Sequence, residues 1–283
     1  MKKLFIIISA LSCLFHATMQ ANNFYIIPEP VSIEYLDGVF NLKKNMNILA
    51  SKEIYKEAQF LQEFLKNELF INSYINNKKR ADIILKLKHN DNIEKPEQYK
   101  INISSKGIEV TGNSNHGIFN GIQTLKQILR ANRKKVICTK ITDYPRFSWR
   151  AFMLDEARYF KGKEVVFGIL DRMAELKMNV FHWHLTDHQG WRIEIKKYPL
   201  LTEIGSKRDS SMIGHFGSNV YDGKPHSGFY TQNEITEVIE YARDRHILVI
   251  PEIDMPGHST AAIASYPWLG SGKEKVKVAC RFG

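Results

Sequence analysis

Hydrophobic positions along the chain change their spacing about halfway. Over 52–70, Ile54, Ala58, Leu61, Leu65 and Leu69 recur at intervals of three and four, which predicts an amphipathic helix. Residues 81–87 read as a strand. Tyr99–Ser104 and Ile108–Thr111 flank Ser105-Lys106-Gly107 and predict a hairpin with glycine in its turn, followed by a helix over 116–129. These signals predict a small α+β module over 24–142, within the usual size of one domain. After Asp143-Tyr144-Pro145-Arg146-Phe147 the order becomes strand 149–155, helix 163–177, strand 179–185, a long loop, helix 231–245 and strand 247–253. Val166, Ile169, Leu170, Met173 and Leu176 face inward from the first helix. Thr231, with Glu234 three residues on, predicts a capping box on the second. Strand, helix, strand, helix, strand implies parallel strands joined by right-handed crossovers, an α/β arrangement.

Parallel strands put their carboxyl ends on one face, and polar residues concentrate there. Asp155, Glu156 and Arg158 follow the first strand, His184 and Asp187 the second, and Glu252, Asp254 and His258 the third. In a (β/α)8 barrel this face carries the active site. Asp187 and His258 suit a carboxylate–imidazole pair, in which the acid fixes the tautomer and the far nitrogen steers a proton-transferring group. Arg158 offers a planar fork of donors for sugar hydroxyls, or a salt bridge to Asp155 or Glu156. His182 and His184, two apart on one strand face, could reach one ion completed by Glu252, Asp254 or His258. The competing reading makes them packing and polar-network residues.

Composition narrows the field without choosing the chemistry. The chain has 283 residues, 43% hydrophobic and 25% charged, as in an ordinary globular protein. Cysteine occurs at 13, 138 and 280, so a disulfide scaffold is excluded. The net charge of +10 comes from Lys and Arg scattered among Glu and Asp. That is a solvated surface rather than a nucleic-acid site. Met1-Lys2-Lys3 followed by the apolar run to Phe15 predicts a signal peptide over 1–21 and export to the periplasm or the extracellular space. Cys13 after Ala10-Leu11-Ser12 raises lipoprotein processing as an alternative. The apolar run is shorter than the roughly 20 residues a membrane span needs, and no later segment meets that length.

Three long motifs carry a resemblance. Trp149-Arg150-Ala151-Phe152-Met153-Leu154-Asp155-Glu156-Ala157-Arg158-Tyr159-Phe160, the stretch Asn179 to Arg192 and Val249-Ile250-Pro251-Glu252-Ile253-Asp254-Met255-Pro256-Gly257-His258 closely resemble the β-N-acetylhexosaminidases of glycoside hydrolase family 20. Gly117-Ile118-Phe119-Asn120-Gly121-Ile122-Gln123-Thr124-Leu125 is similar to that family's accessory domain. The resemblance implies a (β/α)8 TIM barrel over 146–283, of which three strands are visible, behind the accessory domain. It also implies retaining hydrolysis of terminal β-linked N-acetylglucosamine or N-acetylgalactosamine. Family 20 belongs to the substrate-assisted glycosidases. Arg158 then matches the sugar-binding arginine, and Asp187 and His258 match the pair that supports the general acid. His184 and Glu252 line the pocket, and no cofactor or resident metal is expected. Ala151 stands where many relatives have glycine, and His188 where many have a second Asp. The family's Asp-Glu catalytic pair follows a Gly-Gly turn, and no Gly-Gly-Asp-Glu occurs in these residues. A full barrel takes about 250 residues, so the expectation is a truncated, inactive chain. A noncatalytic amino-sugar-binding protein is the alternative, and a metal-dependent hydrolase using His182 and His184 a third.

Overall fold

A computed structural model describes residues 24–76, 81–88, 94–215, 217–272 and 275–281. The leader expected at 1–21 lies outside the described residues, as does part of the loop expected over 273–283. No helix among the described residues is long and apolar enough to cross a membrane.

The first module is a mixed seven-stranded sheet. It contains β1 (Ser32–Asn41), β2 (Asn45–Leu49), β3 (Asn72–Asn76), β4 (Ile83–Leu87), β5 (Tyr99–Ser104), β6 (Gly107–Gly112) and β7 (Lys135–Asp143). Their order is β1-β7-β5-β6-β4-β2-β3. β5 and β6 form the expected antiparallel hairpin, while β2, β3, β4 and β6 run parallel. Helices α1 (Tyr55–Leu69) and α2 (Asn115–Ala131) pack on it, burying Ala58, Leu61, Leu65, Ile118, Ile122 and Leu125. Ser114 caps α2 by accepting from the Gly117 N–H. The periodicity predicted both helices, but β1, β2, β3 and β7 carry too many exposed or polar positions to stand out in the sequence.

The second module is built on three parallel strands, β8 (Ala151–Asp155), β9 (Val180–Asp187) and β15 (Leu248–Ile253), with β9 between the other two. A short strand, β10 (Gly190–Trp191), folds back antiparallel on β9. Helices α3 (Lys163–Glu175) and α5 (Gln232–Arg243) cover one face. There Leu154, Phe181, Trp183 and Leu185 meet Val166, Leu170, Met173, Val238 and Ala242. The capping box of α5 is formed: Thr231 accepts from the Glu234 N–H and Glu234 from the Thr231 N–H. Two ribbons, β11 (Lys207–Arg208) with β14 (His226–Ser227) and β12 (Met212–Ile213) with β13 (Val220–Tyr221), elaborate the loop before α5. A four-residue helix α4 (Leu200–Glu203) precedes them, and α6 (Thr260–Ser265) follows β15.

The modules meet along a charged seam. Phe119, on α2 of the first module, is buried in the core of the second. Arg150 pairs with Glu97 and donates to the Lys177 carbonyl at 2.6 Å. Lys177 donates to Asp143 at 3.0 Å and to the Tyr99 hydroxyl at 2.8 Å. Arg130 joins Glu68 of α1 to Glu175 of α3. Arg150 and Arg130 each sit between acceptors from both modules, and Lys177 of the second module donates into the first, so the seam fixes their relative orientation.

Two stacked imidazoles, His116 and His246, lie 4.9 Å apart in this seam, with Glu97, Glu57 and Arg150 around them. Burial pushes the His116 imidazole down to about 4 from the ordinary 6.5, so it is neutral at pH 7. Below pH 6.5 the unfolded chain takes up a proton that the folded chain refuses, so this group makes stability fall as pH drops from 6.5 toward 4. We expect His116→Gln to flatten that part of the stability–pH profile by up to about 3 kcal/mol, as read from urea midpoints at pH 7 and 4.5.

Candidate functional site

Register decides which side chains share a face. Met153 pairs with His182, and Asp155 with His184; Glu252 pairs with His184 from the other side. Paired residues of adjacent strands point the same way, so Asp155, His184 and Glu252 form one polar row on the face of the sheet away from α3 and α5. The register slips between Glu252 and Ile253, and the Asp254 N–H then donates to the Thr186 hydroxyl at 3.0 Å. The loops after all three strands converge on this edge.

Asp187 is the centre. It ends β9 and is 1% exposed. Its Oδ2 lies 2.6 Å from Arg158 Nη2 and 3.1 Å from His258 Nδ1. Its Oδ1 accepts from the His188 N–H and faces the same His258 nitrogen at 3.1 Å. Residues from three strand ends thus share one buried carboxylate. Because a carboxylate only accepts, His258 carries its proton on Nδ1 and turns Nε2 outward, unpartnered among the described residues. The His258 side chain is 46% exposed.

Arg158 also holds Asp155, at 3.0 Å, and His184 Nδ1, at 3.2 Å. Both Nη1–H groups are thereby used and Nη2 is ion-paired with Asp187, while Nε–H meets no acceptor among the described residues. Of the two salt bridges open to it in the sequence, the one to Asp155 forms. Glu156 instead turns inward, fully buried, to accept from Tyr230 and the Lys161 N–H. Burial raises the Glu156 carboxyl above the ordinary range.

His184 is committed on both nitrogens. Arginine can only donate, so Nδ1 accepts from Arg158; a carbonyl can only accept, so Nε2–H donates to Thr186 at 3.0 Å. No lone pair is left for a metal ion. His182 contacts Glu252 at 2.5 Å. Glu252 therefore bridges the two histidines, its other oxygen 3.6 Å from His184. His182 and His184 thus lie in one network of side-chain contacts through Glu252. His188 turns to the Thr260 hydroxyl, 2.6 Å away.

Arg192 was not singled out by spacing, yet it organises the edge. It is 0% exposed and donates only to carbonyls. Nε is shared between Glu156 at 3.2 Å and Ala157 at 3.3 Å, Nη2 reaches Ala157 at 3.0 Å and Gln189 at 3.4 Å, and Nη1 reaches Ser206 at 2.7 Å and Gly228 at 3.0 Å. Burial pushes its guanidinium down to about 10, still a cation at neutral pH. Gly190 makes room, since a Cβ there would fall on the guanidinium. The carbonyls of 156 and 157 immediately precede Arg158, so Arg192 fixes the backbone from which Arg158 reaches Asp187. Only its place in the Gly190-Trp191-Arg192 motif could have flagged it.

Fold and site define an α/β protein with a polar cleft at the carboxyl ends of parallel strands. The family model described as "Glycosyl hydrolase family 20, catalytic domain" matches residues 147–282, and "Glycosyl hydrolase family 20, domain 2" matches residues 23–144. The chain belongs to glycosyl hydrolase family 20. A β-hexosaminidase of Porphyromonas gingivalis is 39% identical over 256 residues, covering 86% of this chain and 32% of that protein. The structure of a β-N-acetylhexosaminidase from Bacteroides fragilis superposes with a TM-score of 0.73 at 36% identity, over 90% of this chain and 50% of that one. An exo-β-N-acetylglucosaminidase of Vibrio harveyi, in complex with N-acetylglucosamine, gives 0.76 at 33% identity, over 91% and 42%. The chain thus spans about a third of the Porphyromonas protein and about half of the Bacteroides one.

Arg192→Met strips several buried carbonyls of their donor and should cost about 3 kcal/mol or more of stability, measured by chemical denaturation. Long-range nitrogen–proton NMR correlations should find the proton of His258 on Nδ1 and that of His184 on Nε2. Asp187→Asn should release the first and leave the second.

Proposed function

We propose that this chain is the sugar-gripping portion of an exo-β-N-acetylhexosaminidase that hydrolyses terminal β-linked N-acetylglucosamine or N-acetylgalactosamine with retention of configuration. The observation that carries the reading is the Arg158–Asp187–His258 chain, in which one buried carboxylate holds both a sugar-directed guanidinium and an outward-facing imidazole. Arg158 keeps spare N–H groups for hydroxyls of the terminal sugar. His258 presents Nε2 to the group that protonates the leaving oxygen, and Asp187 fixes its tautomer. His184 and Glu252 brace the floor.

In this mechanism the acetamido oxygen of the substrate attacks its own anomeric carbon as the glycosidic bond breaks, and a glutamic acid gives its proton to the leaving oxygen. The carboxylate beside that acid stabilises the oxazolinium ion until water opens it. The intramolecular nucleophile gains effective molarity that no enzyme side chain need supply. β8, β9 and β15 are the first three strands of a (β/α)8 barrel in this reading, with 24–142 as the accessory domain and 146–283 as barrel. No Asp-Glu pair following a Gly-Gly turn occurs in the 283 residues, so these residues alone should not turn over. Export directed by residues 1–21, to the periplasm or beyond, belongs to the same proposal.

A noncatalytic amino-sugar-binding role that keeps Arg158, Asp187 and His258 is the second reading. Purified 1–283 should leave an aryl N-acetyl-β-glucosaminide uncleaved yet bind N-acetylglucosamine in the millimolar range or better by calorimetry, with a loss of about tenfold or more on Arg158→Ala. Turnover at ordinary glycosidase rates refutes the inactive-chain proposal; no binding of the sugar refutes the site.

A further inference from the structure

The seam between the modules holds a cavity of about 620 Å³ that shares no lining residue with the Asp187 cleft. Helices from both modules wall it, each with one face. From the first module, α1 gives Phe60 and Phe64, and α2 gives Phe119, Gln123 and Lys126 at spacings of four and three. From the second, α3 gives Gly168, Asp171 and Glu175, again at three and four, and Arg245 joins them from just beyond α5. The space has a local cause. A Cβ built on Gly168 meets no atom within 4 Å, so α3 lacks a side chain where one could stand without a clash.

Two polar groups in this wall lack the partners their chemistry asks for. Gln123 is 2% exposed, and its Oε1 is buried without a hydrogen-bond donor among the described residues. A buried amide oxygen left in that state is costly unless something supplies the bond. Lys126 meets no hydrogen-bond acceptor among the described residues; its Nζ stands 5.5 Å from the centre of the Phe64 ring. Burial lowers its ammonium from the ordinary range. The acids that act on it from a distance are already taken, since Arg130 holds Glu68 and Glu175, and Arg245 holds Asp171 at 2.7 Å. What the wall still wants is an anionic acceptor at Lys126 and, one helical turn away, a donor at Gln123.

We propose that this cavity is a second binding site, for a small hydroxylated carboxylate of the sugar-acid class. The carboxylate pairs with Lys126, a ring hydroxyl donates to Gln123 Oε1, and the apolar face of the ring lies against Phe60 and Phe119, which meet edge to face at 5.3 Å. A carboxylate suits Lys126 because a charge-assisted hydrogen bond is about twice as strong as a neutral one. A bare inorganic anion would leave both the amide and the phenyl rings unmatched. Because the walls come from both modules, the ligand would brace the seam between them. Nothing in this assignment depends on amino-sugar binding in the Asp187 cleft.

Calorimetry on the full 283-residue chain tests this with glucuronate and with glucose, its neutral counterpart. We expect glucuronate to bind in the millimolar range or better, and glucose about tenfold more weakly or less. Lys126→Met should weaken glucuronate about tenfold. Gly168→Leu puts a side chain into the cavity and replaces a glycine inside a helix, so it should abolish glucuronate binding without lowering the thermal midpoint of the free chain. Glucuronate should raise that midpoint in the parent chain and not in Gly168→Leu. Arg158→Ala should leave glucuronate binding unchanged, which separates this cavity from the cleft. Absence of glucuronate binding, equal affinity for glucose, binding that survives Gly168→Leu, or binding lost in Arg158→Ala overturns the proposal. If Gly168→Leu fails to fold, Lys126→Met decides: an unchanged affinity refutes the pairing, and the tenfold loss upholds it.

Discussion

A carboxylate taken out of water must be repaid by charge and hydrogen bonds, and the second module is arranged around one such debt. Asp187 lies at the buried end of the central strand, and its nearest side-chain partners arrive from the loops of the two flanking strands. Arg158 comes from one side and His258 from the other. Three segments distant in sequence are thereby drawn to one point. The ligand-facing groups, the spare N–H bonds of Arg158 and Nε2 of His258, are left over once these contacts to the carboxylate are made.

This arrangement depends on rigid backing. Arg192 converts the loops at 156–157, 189, 206 and 228 into one body by giving its N–H groups to their carbonyls. A guanidinium suits the task because its donors diverge in a plane, whereas a lysine could reach fewer of these acceptors. Farther back, Arg150, Lys177 and Arg130 tie the second module to the first, and Phe119 fills a gap in the neighbouring core. Among the described residues, the first module contributes no side chain to the Asp187 cluster. Its part is to support α3 and the start of β9, from which the strand runs to Asp187.

Much of the architecture was legible because burial on one face leaves a period in the sequence. Helices α1, α2, α3 and α5 show spacings of three and four, and the capping box of α5 was readable from Thr231 and Glu234. The strands of the second module were found with their ends shifted by one or two residues. β1, β2, β3 and β7 were missed because polar residues hold many of their positions, and Asn-rich β2 and β3 offer little apolar signal. In the cleft, Asp155, Arg158, His184, Asp187, Glu252, Asp254 and His258 could be named because they follow strands that had to be parallel.

The linear order of residues settled which strands run together, which edge gathers the polar groups, and to which family the motifs belong. Distance between side chains is not written there. That Glu156 turns inward while Arg158 turns to Asp187, that His184 spends both nitrogens on neighbours, and that Arg192 serves as a hub follow only once the chain has closed on itself. Each depends on acceptors brought from other strands, and a hydrogen bond between residues tens of positions apart leaves no periodicity to read.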